Sequence, residues 1–188
     1  MIRSKQQFVL KICLFILLHF VAGLTQSALA KDVFPMSQGL HEWQVPTGKV
    51  ILIVGTYQDT TTFKRSYSFY FQAKNSTDWN QVPILRKQND LQFEWSSANG
   101  GDVTLADGIV SAQASGVYFI RADKRADNGW YEKGESVVTW FKFSESDNDH
   151  PDDPPYLLKP VFTRHYSKAL NLSVEDILNK ESALKPAK

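Results

Sequence analysis

Residues 103–121 read VTLADGIVSAQASGVYFIR, and this stretch indicates the fold class more clearly than any other. Its runs of β-branched and aromatic residues are typical of strands. The two separators between the runs, Ala106-Asp107-Gly108 and Ser115-Gly116, have the small, acidic and glycine residues of hairpin turns. The stretch therefore predicts three successive antiparallel strands, at Val103–Leu105, Ile109–Ala114 and Val117–Arg121.

Similar short runs flank this stretch on both sides. They predict further strands at Lys49–Gly55, Ser66–Phe71, Leu91–Trp95, Ser136–Phe143 and Leu157–Thr163. Pro160 places the last of these at a sheet edge, because proline has no N–H for a ladder hydrogen bond. Many short strands separated by turn residues predict an all-β, mainly antiparallel fold, either a β-sandwich or a barrel-like domain.

One short helix is predicted near the C-terminus. Ser173-Val-Glu-Asp176 has the pattern of a capping box, in which the serine and the acidic residue satisfy each other's backbone N–H groups. Val174, Ile177 and Leu178 then form an apolar stripe at helical spacing. We expect this helix to pack on an edge or an open end of the β structure.

The N-terminal segment has the pattern of a secretory signal peptide. Arg3 and Lys5 give a basic start, an apolar run follows, and Ala28 and Ala30 provide the small residues of a cleavage site. The uncharged core of the run, Ile12–Leu24, is too short to cross a bilayer core of about 30 Å. We therefore predict a cleaved signal peptide over residues 1–30.

Cleavage would leave a single β-rich domain, residues 31–188, exported to the bacterial periplasm with no membrane anchor. Cys13 is the chain's only cysteine and would be lost with the signal peptide. The exported domain would then have no disulfide, thiol nucleophile or thiolate metal site. The 21 basic and 20 acidic residues nearly balance and form no basic patch, which argues against nucleic acid and anionic membranes as partners.

An acidic segment over residues 145–153 is the only pattern that suggests a metal. Clustered carboxylates provide the oxygen ligands that Ca²⁺ prefers, and the candidates are Asp147, Asp149 and Asp152. The spacing differs from an EF-hand, because Pro151 stands where a third ligand should be. A solvated loop between two strands explains the same residues, and we expect no bound metal.

Catalytic motifs give little support to an enzyme. Ser182 and Lys185 have the Ser-x-x-Lys spacing of serine β-lactamases, but they stand at the end of the chain and the companion motifs are absent. The sequence also has no Gly-x-Ser-x-Gly motif and no glycine-rich phosphate loop. We predict neither catalysis nor a cofactor; a metal-dependent hydrolase using His150 and the three aspartates is the remaining enzymatic alternative.

The best candidate for ligand binding is the loop region that follows Val117–Arg121. Arginine pairs with a carboxylate through two parallel hydrogen bonds, and Trp or Tyr provides a flat apolar wall. The candidate ligand-binding residues are Arg121, Arg125, Trp130 and Tyr131. The alternative is a solvated hairpin loop whose aromatic residues cover a sheet edge.

Aromatic residues in the strands allow two further interpretations. Trp140 and Tyr70 could form an exposed platform for stacking sugars or a surface for a homodimer. Filling the core is the commoner use of an aromatic residue in a strand.

The order of several segments resembles the small exported carbapenem intrinsic-resistance proteins, the immunity proteins of bacteria that make a carbapenem. The segments are Ser66–Phe71, Trp79–Pro83, Val117–Lys124, Val137–Phe143, Pro154–Tyr156 and Val174–Ile177. The resemblance implies a periplasmic protein that protects its producer from a β-lactam without being a β-lactamase. Its partner would be the β-lactam itself, which it sequesters, or a cell-wall target that it shields. The alternative function is an exported carbohydrate-binding or envelope interaction β-sandwich module.

Overall fold

The structure is a computed structural model, and it describes residues 36–60, 63–86, 89–98, 103–125, 134–146 and 153–184. The signal-peptide segment lies outside these residues. The strands, in chain order, are β1 (Gly39–Val45), β2 (Gly48–Gln58), β3 (Phe63–Ala73), β4 (Asn80–Gln81), β5 (Ile84–Leu85), β6 (Asn89–Asp90), β7 (Phe93–Glu94), β8 (Ser96–Ala98), β9 (Val103–Gln113), β10 (Gly116–Lys124), β11 (Ser136–Glu145) and β12 (Tyr156–Tyr166). A 3-10 turn (Lys168–Leu170) precedes helix α1 (Val174–Ser182).

The strands form two sheets. The smaller sheet has the order β1-β2-β3-β4, with β7 also paired to β3, and the larger has the order β6-β5-β12-β11-β10-β9-β8. Neighbouring strands pair in antiparallel fashion except β12 and β5, which run parallel and meet at Leu158 and Ile84. The predicted all-β, mainly antiparallel fold with one short C-terminal helix is therefore confirmed.

The main core lies between the two sheets and is rich in aromatic rings. The ring of Phe69 in the smaller sheet lies 5.1 Å from the ring of Phe119 in the larger sheet. Alternation along each strand sends every second side chain into this core. Its fully buried members include Val50, Leu52, Tyr67, Phe69, Phe71, Val110, Phe119 and Leu158.

Helix α1 covers the opposite face of the larger sheet. Val174, Ile177 and Leu178 are buried against residues of β9, β10 and β11. The Ser173 hydroxyl accepts a hydrogen bond from the Asp176 N–H, and the Asp176 carboxylate accepts one from the Ser173 N–H, so the predicted capping box is confirmed. The predicted packing position is wrong, since the apolar stripe meets a sheet face and not an edge or open end. No helix in the described residues is long and apolar enough to cross a membrane.

One predicted hairpin turn is also wrong, and the reason is local packing. Ala106-Asp107-Gly108 lies inside the continuous strand β9, whereas a turn does follow Gln113 and leads into Gly116, as predicted. A Cβ atom at Gly108 would collide with the ring of Phe119. Gly108 therefore allows the backbone of β9 to approach the Phe119 ring closely.

Strand β12 is not the edge strand that Pro160 predicted, because the sheet order places it between β5 and β11. It pairs with β11 throughout but with β5 only at Leu158. Its register against β11 shifts between Trp140 and Phe141, next to Pro160. The proline thus lies at a β-bulge, one of the few places where a sheet tolerates it.

Candidate functional site

Arg121 lies on the inner face of β10, near one end of the space between the sheets. Its Nε donates to Oδ2 of Asp123 at 2.7 Å, and its Nη2 donates to Oδ1 at 2.5 Å. The guanidinium also lies 4.7 Å from the centre of the Phe93 ring. The side chain is only 13% exposed, so Asp123 occupies the bidentate position that the sequence analysis assigned to a ligand carboxylate.

Arg125 has a different environment. It follows the last residue of β10, its side chain is exposed, and its N–H donates to the carbonyl oxygen of Glu135 at 2.8 Å. The other two predicted ligand-binding residues, Trp130 and Tyr131, lie outside the described residues. The predicted ligand site therefore stays a prediction, with Arg125 as its accessible cation.

Next to Arg121, the structure has a buried polar pair that the sequence analysis missed. The Tyr67 hydroxyl donates to Oδ1 of Asp107 at 2.7 Å, and the Gly108 N–H donates to the same oxygen at 2.7 Å. Tyr67 is fully buried and Asp107 is 1% exposed. The Tyr67 ring also lies 5.4 Å from the Phe93 ring, and the guanidinium of Arg121 contacts that same Phe93 ring.

Burial dominates the electrostatics of this pair. It raises the pKa of Asp107 to about 6, although the hydrogen bonds from Tyr67 and Gly108 and the positive charge of Arg65 act in the opposite direction. Burial, together with the negative charge of Asp107, also raises the pKa of Tyr67 far above its usual range. Tyr67 and Asp107 thus form a hydrogen bond between the two sheets, and burial raises the pKa of the aspartate well above its usual range.

A second buried carboxylate holds helix α1 to the larger sheet. Glu181 is fully buried and accepts hydrogen bonds from Nε1 of Trp140 at 2.7 Å and from the Tyr166 hydroxyl at 2.6 Å. Arg164 lies 3.1 Å from its Oε1. Burial and the hydrogen bond to Glu181 raise the pKa of Tyr166. Since Trp140 is 1% exposed, its predicted role in an exposed sugar platform or dimer surface is wrong.

Tyr70 does lie toward the surface, on the outer face of the smaller sheet. Its ring is 6.0 Å from that of Trp79, with 51° between the ring planes, and Trp79 is 43% exposed. Beside this pair, an open groove of about 400 Å³ is lined by Gln44, Val45, Pro46, Gly48, Lys49, Gln72, Ala73, Lys74, Asn75 and Ser76. The alternation of residues in the sequence predicted that Tyr70 lies on one face of a strand. It did not indicate that the Trp79 ring would pack against Tyr70.

Metal-binding residues do not cluster in the part of the chain that the structure describes. The weak candidates Asp147, Asp149 and Asp152, with His150 of the hydrolase alternative, lie outside that part. Asp153, at the end of the acidic segment, is described and lies 3.4 Å from Nζ of Lys159.

The fold defines the chain as a protein of two packed sheets with one helix on the outer face of the larger sheet. A solved structure with this fold is the crystal structure of CarG, with a TM-score of 0.64 and 13% sequence identity over 80% of this chain and 94% of that one. The likeness confirms, at the level of the fold, the resemblance that the order of sequence segments indicated. No protein-family model and no curated protein matches the chain.

Proposed function

We propose that this protein protects its cell from a carbapenem β-lactam without hydrolysing it, after export to the periplasm. The observation that carries the proposal is the fold likeness to CarG, which extends over 94% of that protein. The resemblance of the segment order to carbapenem intrinsic-resistance proteins supports it independently of the coordinates. Protection without hydrolysis leaves two routes: sequestering the drug or shielding a cell-wall target.

The environment of Ser182 supports a route without a serine nucleophile. Its hydroxyl donates to the carbonyl oxygen of Asn179 at 2.8 Å, in the last turn of α1. A nucleophilic serine needs a neighbouring general base and a nearby site for the reacting carbonyl. The observed contact is instead one that satisfies a helix-terminal carbonyl group.

For sequestration, Arg125 is the residue we assign to the drug carboxylate. Its side chain is exposed, whereas Arg121 would first have to exchange Asp123 for the ligand. Trp130 and Tyr131 are the residues that we propose for apolar contact with the drug. If the protein instead shields a cell-wall target, its partner is a cell-wall protein, and protection does not require Arg125.

The test is carbapenem susceptibility of a sensitive Gram-negative host that exports the protein, with intact drug quantified in the medium. We expect raised resistance while the drug concentration stays constant. Disappearance of the drug would establish hydrolysis and overturn the proposal, and unchanged susceptibility would overturn it as well. A version without residues 1–30 should give no protection if the protein acts in the periplasm.

Two variants separate the routes. Arg125→Ala should abolish protection and drug binding in titration calorimetry if the protein sequesters the drug. Arg86→Ala is the matched control, because Arg86 is also a surface arginine but pairs with Asp90 at 3.1 Å. Protection that survives Arg125→Ala, with no measurable drug binding by the wild type, assigns the protein to target shielding.

A further inference from the structure

The outer face of the smaller sheet carries an aromatic pair beside rows of polar side chains. Cross-strand register puts Glu42, Ile51, Tyr70 and Gln81 in one row over β1 to β4. Trp79 precedes Gln81 by two residues, and its ring contacts Tyr70. A partly exposed tryptophan thus lies beside this row, against Tyr70.

The neighbouring row on the same face is polar along its whole length. It consists of Gln44, Lys49 and Gln72, which lie opposite one another on β1, β2 and β3. All three also line the open groove of about 400 Å³. The groove and the aromatic pair therefore form one continuous surface, which we call the Trp79 face and define as Gln44, Lys49, Tyr70, Gln72, Trp79 and Gln81.

The chemistry of this surface fits a sugar chain better than an apolar protein surface. A pyranose ring has one face of C–H groups that packs on an aromatic ring, and equatorial hydroxyl groups around its rim that need donors and acceptors. A glutamine amide has two donors and an acceptor. Gln72 and Gln81 each use one N–H within the protein, for the carbonyl oxygens of Ser76 at 2.8 Å and Leu91 at 3.1 Å, which leaves each of them a second N–H and the amide oxygen. Lys49 pairs with Glu42 at 2.7 Å and keeps further ammonium donors. An apolar protein partner would leave the remaining N–H groups and oxygens of these amides without partners, at a cost in affinity.

The geometry of the rings adds a constraint on how a chain would bind. The angle of 51° between Tyr70 and Trp79 makes a shallow corner, not a flat platform. One pyranose ring can stack on the exposed side of Trp79, with the next ring directed along the groove toward Gln72. Larger clefts that enclose a drug-sized ligand bury most of its surface, whereas this open groove suits an extended polymer.

We propose that the Trp79 face binds a polysaccharide of pyranose rings, with Trp79 as the stacking residue and the glutamines as hydrogen-bonding partners. This site goes beyond the proposed protection from a carbapenem and does not depend on it. A protein that binds the sugar chains of a cell envelope would be retained beside the enzymes that build them.

The experiment measures sedimentation of the purified protein with insoluble peptidoglycan, chitin and cellulose, and calorimetric titration with chitohexaose. We expect saturable binding to at least one of the three polymers, and the polymer that is bound identifies the source of the sugar. Trp79→Ala should weaken that binding about tenfold or more, the loss of one stacking contact. Trp79→Phe should keep most of it, because a flat ring remains.

Tyr57→Ala is the matched control. Tyr57 is an exposed aromatic residue of the same sheet, 58% exposed, but it lies outside the two rows. Its replacement should leave binding unchanged, and thermal unfolding should show that both alanine variants fold. Absence of saturable binding to all three polymers overturns the proposal, as does equal binding by the wild type and Trp79→Ala. No carbapenem is present in this assay, so its failure leaves the protection experiment unaffected.

Discussion

The hydroxyl of Tyr67 and the carboxylate of Asp107, 2.7 Å apart, join the two sheets through a hydrogen bond that is buried on both sides. Forty residues separate the two partners in the chain. Burying a charge costs free energy unless the charge is well paired, and here the positive charge of Arg65 offsets part of that cost. The negative charge of Glu175 in helix α1 adds repulsion.

The stability of the protein should fall as the pH rises from about 4 to about 6. Folding raises the pKa of Asp107 from 3.8 to about 6, so in this window the folded state holds a proton that the unfolded state has released. The free energy of unfolding therefore decreases with increasing pH, by on the order of 3 kcal/mol in total. Urea unfolding at a series of pH values measures this slope.

Asp107→Asn should remove that slope and stabilise the protein at pH 7. The amide oxygen still accepts from Tyr67 and Gly108, but no buried charge remains. Asp78→Asn, at an exposed position, is the control and should leave the slope in place. An Asp107→Asn protein with the wild-type pH profile would mean that another group titrates in this range.

Tyr67→Phe should destabilise the protein by about 1–3 kcal/mol at neutral pH, because the Asp107 carboxylate loses a donor while staying buried. That donor lowers the pKa of Asp107, so its loss should move the pH window upward. Combining Tyr67→Phe with Asp107→Asn in a double-mutant cycle measures the coupling. Strictly additive free energies would show that the two groups do not interact.

Glu181→Ala should destabilise helix α1 and its contact with the sheet by more than about 2 kcal/mol, since Trp140 loses its acceptor in a buried place. The segment that follows β12 should then be cleaved faster by proteases under native conditions. Asn179→Ala, at an exposed position on the same helix, serves as the comparison. Equal cleavage of the two variants would be evidence against the carboxylate as the anchor.

Gly108→Ala should destabilise the protein by about 1–3 kcal/mol or more, because the added methyl group collides with Phe119 in a packed core. Gly55→Ala is the matched substitution in the other sheet, where the nearest atom is the Ser66 hydroxyl oxygen at 3.3 Å. We expect Gly55→Ala to change the midpoint of urea unfolding far less. A mild effect at Gly108 would show that the Phe119 ring can move aside.

The fold class and the helix could be predicted from the sequence, because both depend on local patterns. Ser173 and Asp176 stand three residues apart, and the strands have short-range alternation and composition. The hairpin turn predicted at Asp107-Gly108 was wrong, because the two residues that favour a turn also suit a buried hydrogen bond and a close contact with an aromatic ring. The difference between the two depends on Tyr67 and Phe119, which a local pattern does not include.

The candidate sites were less predictable for the same reason. Arg121 was identified, but its pairing with Asp123 became visible only in the strand, where residues two apart share a face. Trp140 was placed on a strand face, yet only the position of helix α1 decides that this face is covered. Trp79 lies in an irregular segment before β4, where no periodicity indicates direction.

Helix α1 follows every strand of the sheet that it covers, so it is synthesised after them. Until Val174 and the residues after it have left the ribosome, Ile120, Val138 and Trp140 have no cover on their side of the sheet. A chain ended by a premature stop codon shortly before the helix would keep all its strands and still expose this apolar surface permanently. Such a product should aggregate or be degraded, although it would lack none of the strands.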